Sequence, residues 1–187
     1  MNLSYMEYKI EIFNDEMYSL NSTDNKNKYD CEIFDTKEKE HFYSSKCGIR
    51  ILKNEELIKS VVFLGSGSTT RINQNSYVLN GQMLFVAVGS AVYCIQVPDL
   101  TMKWVVQGDD SCCFGIFRLI DNIVIHGELS VTCIDVRGNI LWKYYGKDIF
   151  VASDDGINNF EVKENKISVK DWNNELYILN SDGKRIN

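Results

Sequence analysis

Apolar residues along this chain come in short runs and not at helical spacing. Tyr8 to Phe13 alternates polar and apolar with a period of two, as a half-buried strand does. Further runs are Gly48 to Leu52, Ser60 to Leu64, Met83 to Val88, Ala91 to Val97, Met102 to Val106, Cys113 to Leu119 and Asn122 to Ile125. Val131 to Val136, Ile140 to Tyr145, Ile149 to Ala152, Phe160 to Val162, Lys166 to Val169 and Glu175 to Leu179 complete the set. They are rich in β-branched and aromatic residues and bounded by Asn, Asp, Gly or Ser, which predicts a strand at each. Leu84 to Val88 and Tyr93 to Ile95 have no polar alternate. A strand reads this way when its sheet is covered on both faces, which in an antiparallel protein means sheets stacked on sheets. The weakly helical stretch Thr36 to His41 fits a solvated loop equally well.

The pattern repeats. Trp104, Gly108 and Asp110 have the same spacing as Trp142, Gly146 and Asp148, 38 residues further on. Before each tryptophan lie a strand and a turn: Val92 to Val97 with Pro98-Asp99, and Val131 to Val136 with Arg137-Gly138-Asn139. A third copy has Leu176 to Asn180 followed by Ser181-Asp182-Gly183-Lys184. A weaker copy overlays Ile51 to Val61 on Cys94 to Trp104, with Val61 at the tryptophan position. Each unit is about 40 residues, the length of a propeller blade. The tryptophans are expected on the last strand of each unit, wedged between neighbouring sheets.

Asp135-x-x-Gly138-Asn139-x-x-Trp142-x-x-x-Gly146 resembles the tryptophan-docking repeat of propellers related to pyrroloquinoline-quinone dehydrogenases. The match is partial from Gln96 to Gly108 and covers about two thirds of the chain. The resemblance implies a fold and not an activity. Quinone enzymes of that family are larger, exported and calcium-binding. Cys112-Cys113 is similar to the vicinal cysteines of some of them, without the surrounding constellation. As a whole the chain resembles small bacterial propeller-like proteins.

Composition narrows the function. Of 187 residues 44% are hydrophobic and 12% aromatic, which is globular. The net charge of −6 is spread along the chain and disfavours phosphate backbones, so no nucleic-acid partner is expected. No apolar run approaches the ~20 residues of a membrane helix, so no membrane is expected either. Met1 to Glu7 shows no leader pattern, and the six cysteines include no C-x-x-C pair. Free thiols in a reducing cytoplasm are the expectation, with no cofactor and no metal framework.

Several residues could carry chemistry, each with a plainer reading beside it. His126 and Glu128 could work as acid and base, with Asp110 at the mouth of a pocket on the blade axis; the plainer reading is an exposed pair in a tight turn. Gly65 to Arg71 is glycine-rich but precedes no helix, so it reads as a connection between blades. Asp109-Asp110 and Asp154-Asp155 are acidic loops without the spacing of a calcium loop. Asp110 and Asp148 recur at one repeat position, which favours turn capping. Trp172 falls outside the repeat register, in a polar hairpin, and is the preferred contact residue, with Asp154 and Asp155 as further binding candidates.

The resulting expectation is a single all-β domain over residues 1–187. It is a propeller-like array of about four antiparallel blades, closed or open, with units near 21–65, 66–108, 109–146 and 147–187. Residues 1–20 are expected to be an extra strand region, with residues 5–13 as a strand free to pair with the last unit. The functional expectation is a non-enzymatic module that binds another protein, as a monomer or weak homo-oligomer. The alternatives are a small-molecule enzyme or sensor with an axial pocket, and a self-associating remnant of a larger propeller.

Overall fold

A computed structural model describes residues 1–35, 43–152 and 159–187; among them are sixteen strands and no helix. The first sheet holds β1 (Asn2–Tyr5), β2 (Tyr8–Asn14), β3 (Cys31–Phe34), β4 (Ser45–Lys53) and β5 (Glu56–Gly65), in the order β1-β2-β4-β5-β3. The second is a meander of β6 (Tyr77–Asn80), β7 (Met83–Val88), β8 (Ala91–Gln96) and β9 (Thr101–Gln107). The third repeats it with β10 (Cys113–Leu119), β11 (Asn122–Gly127), β12 (Val131–Ile134) and β13 (Ile140–Tyr144). The fourth has β14 (Phe160–Lys163), β15 (Lys166–Lys170) and β16 (Leu176–Leu179). All pairings are antiparallel except β3 with β5.

The strands without a polar alternate lie in the second sheet, and alternation of side chains explains them. Leu84, Val86 and Val88 with Tyr93 and Ile95 pack against the first sheet, on Ile10, Ile49, Val61 and Phe63. Phe85, Ala87, Val92 and Cys94 point the other way, onto Ile116, Ile123 and Ile125 of the third sheet. The third sheet's opposite face, with Val124, Val131 and Cys133, packs on Phe160, Ile167, Val169 and Tyr177 of the fourth. The outer face of the first sheet is covered by its own chain, where Tyr18 and Tyr43 pack on Val62 and Leu64.

Two expectations need correction here. Residues 5–13 are not free to pair with the last unit: β2 pairs with β4 along its whole length, so the first sheet owns it. Ile149 to Ala152 is not a strand; Phe150 makes a single bridge to Asp171 and is otherwise held as loop. β1, β3 and β6 give no clear signal in the sequence because each is a four-residue strand with no fully buried residue.

Two tryptophans tie neighbouring sheets in the same manner. Cys94 pairs with Trp104 across β8 and β9, Cys133 with Trp142 across β12 and β13, and each pair adjoins a register shift. Trp104 Nε1 donates to the Val136 carbonyl at 3.2 Å, and Trp142 Nε1 to the Ser181 carbonyl at 2.9 Å. The receiving turns match: Asp135 Oδ1 accepts from the N–H of Arg137 and Asn139, and Asn180 Oδ1 from Asp182 and Lys184. Gly138 (φ 86°) and Gly183 (φ 74°) lie against the indoles. A Cβ at either would stand 2.7 or 2.5 Å from the tryptophan Cδ2. Glycine is therefore required both by the left-handed backbone and by the ring.

The first sheet departs from this rule. Its register shift falls after Ile51, which pairs with Lys59, so Lys59 and not Val61 stands at the tryptophan position. The β4–β5 turn is two residues shorter than the β8–β9 connection, and the ungapped overlay slides by that amount. Where no indole arrives, the receiving turn has no glycine: Val97 and Leu100 are buried against the first sheet instead.

Gly183→Ala is expected to cost about 2–3 kcal/mol in urea unfolding, of which about 1–2 is the left-handed backbone and the rest displacement of the indole. In a Trp142→Ala background only the backbone part should remain. Equal costs in both backgrounds would show that the indole does not constrain the turn.

Candidate functional site

His126 lies on β11, opposite Gly115 of β10 and Val131 of β12, and is 2% exposed. This overturns both sequence readings, the accessible base and the exposed turn. Its ring stacks on Phe160 of β14, with centroids 4.3 Å apart and planes at 17°, and meets Phe114 edge-on at 5.2 Å. Nε2 has no hydrogen-bond partner among the described residues, and burial pushes the imidazole pKa down to about 3. A ring this buried stays neutral near pH 7 and is closed to a substrate. Its contacts pack the fourth sheet onto the third.

Glu128 faces elsewhere. Its Oε2 accepts from Ser111 Oγ and, at 3.8 Å, from Cys112 Sγ. Asp110 is exposed and accepts from Gln107 Nε2 at 3.3 Å. The three candidate catalytic side chains do not converge on one another.

The residue beside Asp110 organises this region. Asp109 is fully buried, and both its oxygens are occupied. Oδ1 accepts from the N–H of Ser111 (2.8 Å) and Cys112 (3.2 Å). Oδ2 accepts from the N–H of Leu129 (3.1 Å) and Ser130 (2.8 Å) and from Ser130 Oγ (2.9 Å). One carboxylate thus joins the β9–β10 loop to the β11–β12 loop. The sequence does carry a signal for half of this: Asp109-x-Ser111 is an Asx turn, as is Asp135-x-Arg137. Cys112 and Cys113 are buried behind it as free thiols. Burial, then Glu128 and Asp109, pushes Cys112 up to about 12, and burial first of all holds Cys113 well above its usual range. Neither provides a thiolate near neutral pH.

Trp172 has a different setting. It is 68% exposed, at the tip of the β15–β16 hairpin. The hairpin is anchored by Asp171, which is buried: Oδ1 accepts from the Glu175 N–H at 2.8 Å and Oδ2 from Tyr177 Oη at 2.8 Å. The Trp172 N–H donates to the Ile149 carbonyl at 2.8 Å, and Asn173 Nδ2 donates to Asp148 Oδ2 at 2.7 Å. Asp148 therefore fastens this tip, a role its repeat mate Asp110 does not share. Gly146 permits the close approach, since a Cβ there would lie 3.0 Å from the Phe150 ring; at Gly108 it would lie 2.8 Å from Cys113 Sγ. The Phe150 N–H in turn donates to the Glu128 carbonyl at 2.7 Å. Leu129, Ile149 and Trp172, all exposed apolar side chains, thus sit on three loops linked by backbone hydrogen bonds. Glu175 beside them is bridged to Lys147 at 3.0 Å and Arg185 at 2.9 Å, which hold its carboxyl below the usual range.

A separate polar cleft of about 530 Å³ lies in the loop after β2, among Asn14, Asp15, Ser22 and Asn25. Its Asp15 already accepts from Tyr29 Oη at 2.5 Å and Asn27 Nδ2 at 2.9 Å. Asp154 and Asp155 fall outside the described residues. Among the described residues, no three His, Cys, Asp or Glu side chains gather as metal ligands, and no helix is long and apolar enough to cross a membrane. Neither any protein-family model nor any curated protein matches the chain.

Proposed function

We propose that the protein is a non-enzymatic protein-interaction module, an open row of propeller-like blades whose contact residue is Trp172. The observation that carries this is a tryptophan exposed at 68% on a hairpin held by a buried aspartate. A large aromatic side chain on an anchored backbone makes an efficient contact, and Leu129 and Ile149 extend it. The tryptophan-docking turns support the blade reading. The open row is supported by the ends: the first sheet is covered by its own chain, and the fourth presents a polar outer face. The free cysteines fit a reducing compartment.

The test compares wild type with Trp172→Ala in affinity capture from native lysate. Wild type should retain one stoichiometric partner, and the variant should lose it, with an affinity loss of about 30-fold or more. Its unfolding free energy should stay within about 0.5 kcal/mol of wild type. Equal capture by both proteins, or no stoichiometric partner for either, counts against the reading.

A further inference from the structure

The fourth sheet carries a charge pattern that the others lack. Residues opposite each other in an antiparallel pair share a face. The register Lys163↔Lys166, Glu161↔Ser168, Ser168↔Ile178 and Lys170↔Leu176 therefore puts three lysines on one side, together with Glu161, Leu176 and Ile178. The other side is the apolar face buried on the third sheet.

Lys163 and Lys166 flank a two-residue turn, Glu164-Asn165, with positive φ at both positions (49° and 63°). That geometry places two ammonium groups directly opposite each other, a destabilising arrangement. Corresponding hairpins avoid it. The second sheet pairs Asn80 with Met83, the third Leu119 with Asn122, and the β4–β5 hairpin of the first opposes Lys53 to Glu56. Ion pairs are formed by Lys9, Lys53, Arg71, Lys147 and Arg185, but among the described residues by none of these three lysines. In a chain of net charge −6, three lysines that form no ion pair among the described residues thus gather on the outer face of the last sheet, with Glu161 beside them and Glu164 in the turn.

We infer that this face docks an acidic segment of a partner protein, with one carboxylate seated between Lys163 and Lys166 and a second at Lys170. The inference rests on the interaction reading above and names the chemistry of the partner. Lys170 is four residues along β15 from Lys166, about 13 Å, so the two carboxylates are four residues apart in an extended segment. Leu176 and Ile178 receive apolar side chains between them. A bridging carboxylate turns the lysine repulsion into two charge-assisted contacts. A phosphate backbone fits less well, because Glu161 shares the face and the rest of the chain is negative.

The probe is a fluorescein-labelled twelve-residue peptide of three Glu-Ser-Leu-Ser repeats, which in extended form puts Glu and Leu on one side, followed by anisotropy at low salt. Saturable binding is expected, weakened at least tenfold in the Lys163→Glu/Lys166→Glu variant and comparably in Lys163→Gln/Lys166→Gln. The glutamine pair removes the repulsion and the glutamate pair exchanges it for one of the same size at an exposed hairpin end, so both variants are expected to stay folded, as a thermal melt will verify. No saturable binding, or equal affinity for the variants, overturns the inference. So does equal binding of a twelve-nucleotide single-stranded DNA or of phosphatidylserine vesicles through the same lysines. A wild-type dimer in light scattering that the double variant abolishes overturns it in favour of a second copy. None of these results bears on Trp172, whose own test is loss of partner capture, so the two readings fail separately.

Discussion

Asp109→Ala is expected to lower the unfolding free energy by about 3–5 kcal/mol, the largest effect of any single side chain in the β9–β10 loop. The carboxylate takes five hydrogen bonds, four of them from backbone N–H groups of two different loops. Deleting it leaves those donors without an acceptor in a site closed to solvent, at about 1–3 kcal/mol for each one left unsatisfied, partly relieved by relaxation. Asp109→Asn should rescue little. Donors face both oxygens, so an amide NH2 must oppose N–H groups whichever way it is turned. Gly127→Ala should show the same loss by another route, because its Cβ would run into the Asp109 carboxylate. Urea unfolding of the three variants checks this. An Asp109→Asn protein as stable as wild type would show that one oxygen suffices.

Acidification should destabilise the fold through His126. Its imidazole has a pKa of about 3 when folded, against an ordinary value of 6.5. The unfolded chain therefore binds this proton at a higher pH than the folded one. The stability associated with the neutral ring is fully present above pH 6.5 and is lost as pH falls toward 3. Between pH 6.5 and 5, above most carboxylate titration, the loss should be about 2 kcal/mol, at about 1.4 kcal/mol per unit. Over the whole window it reaches roughly 4–5 kcal/mol. His126→Leu should abolish the slope between pH 6.5 and 5 while lowering the plateau through lost stacking on Phe160. Urea midpoints measured across that range decide it; an unchanged slope in the variant would place the titrating group elsewhere.

What could be read in advance shares one property. β2 follows from a period of two, β7 from an unbroken apolar run bounded by turn residues, and the turns after β12 and β16 from Asp135, Gly138, Asn180 and Gly183. The spacing of Trp104 and Trp142 was visible because both indoles serve turns of one local design. The site was less legible. Asp109 and Asp110 are adjacent acids in one loop, and the repeat spacing favours Asp110. Only the approach of the β11–β12 loop, some twenty residues on, selects Asp109. His126 precedes a turn and reads as its first residue, yet the ring is enclosed by Phe160 of another sheet.

The sequence by itself determined that this is a β protein of stacked sheets, where most strands run, and that Trp104 and Trp142 hold equivalent places. Those features depend on alternation, chirality and steric demands within a few residues. The tertiary structure alone decided that β2 belongs to the first sheet, that Lys59 stands where a tryptophan would, that His126 is sealed and Trp172 open, and that Lys163 opposes Lys166 on an uncovered face. Each of these is a matter of which distant segments meet and which surface is left over. Burial and pairing are properties of that meeting and not of the residues taken in order.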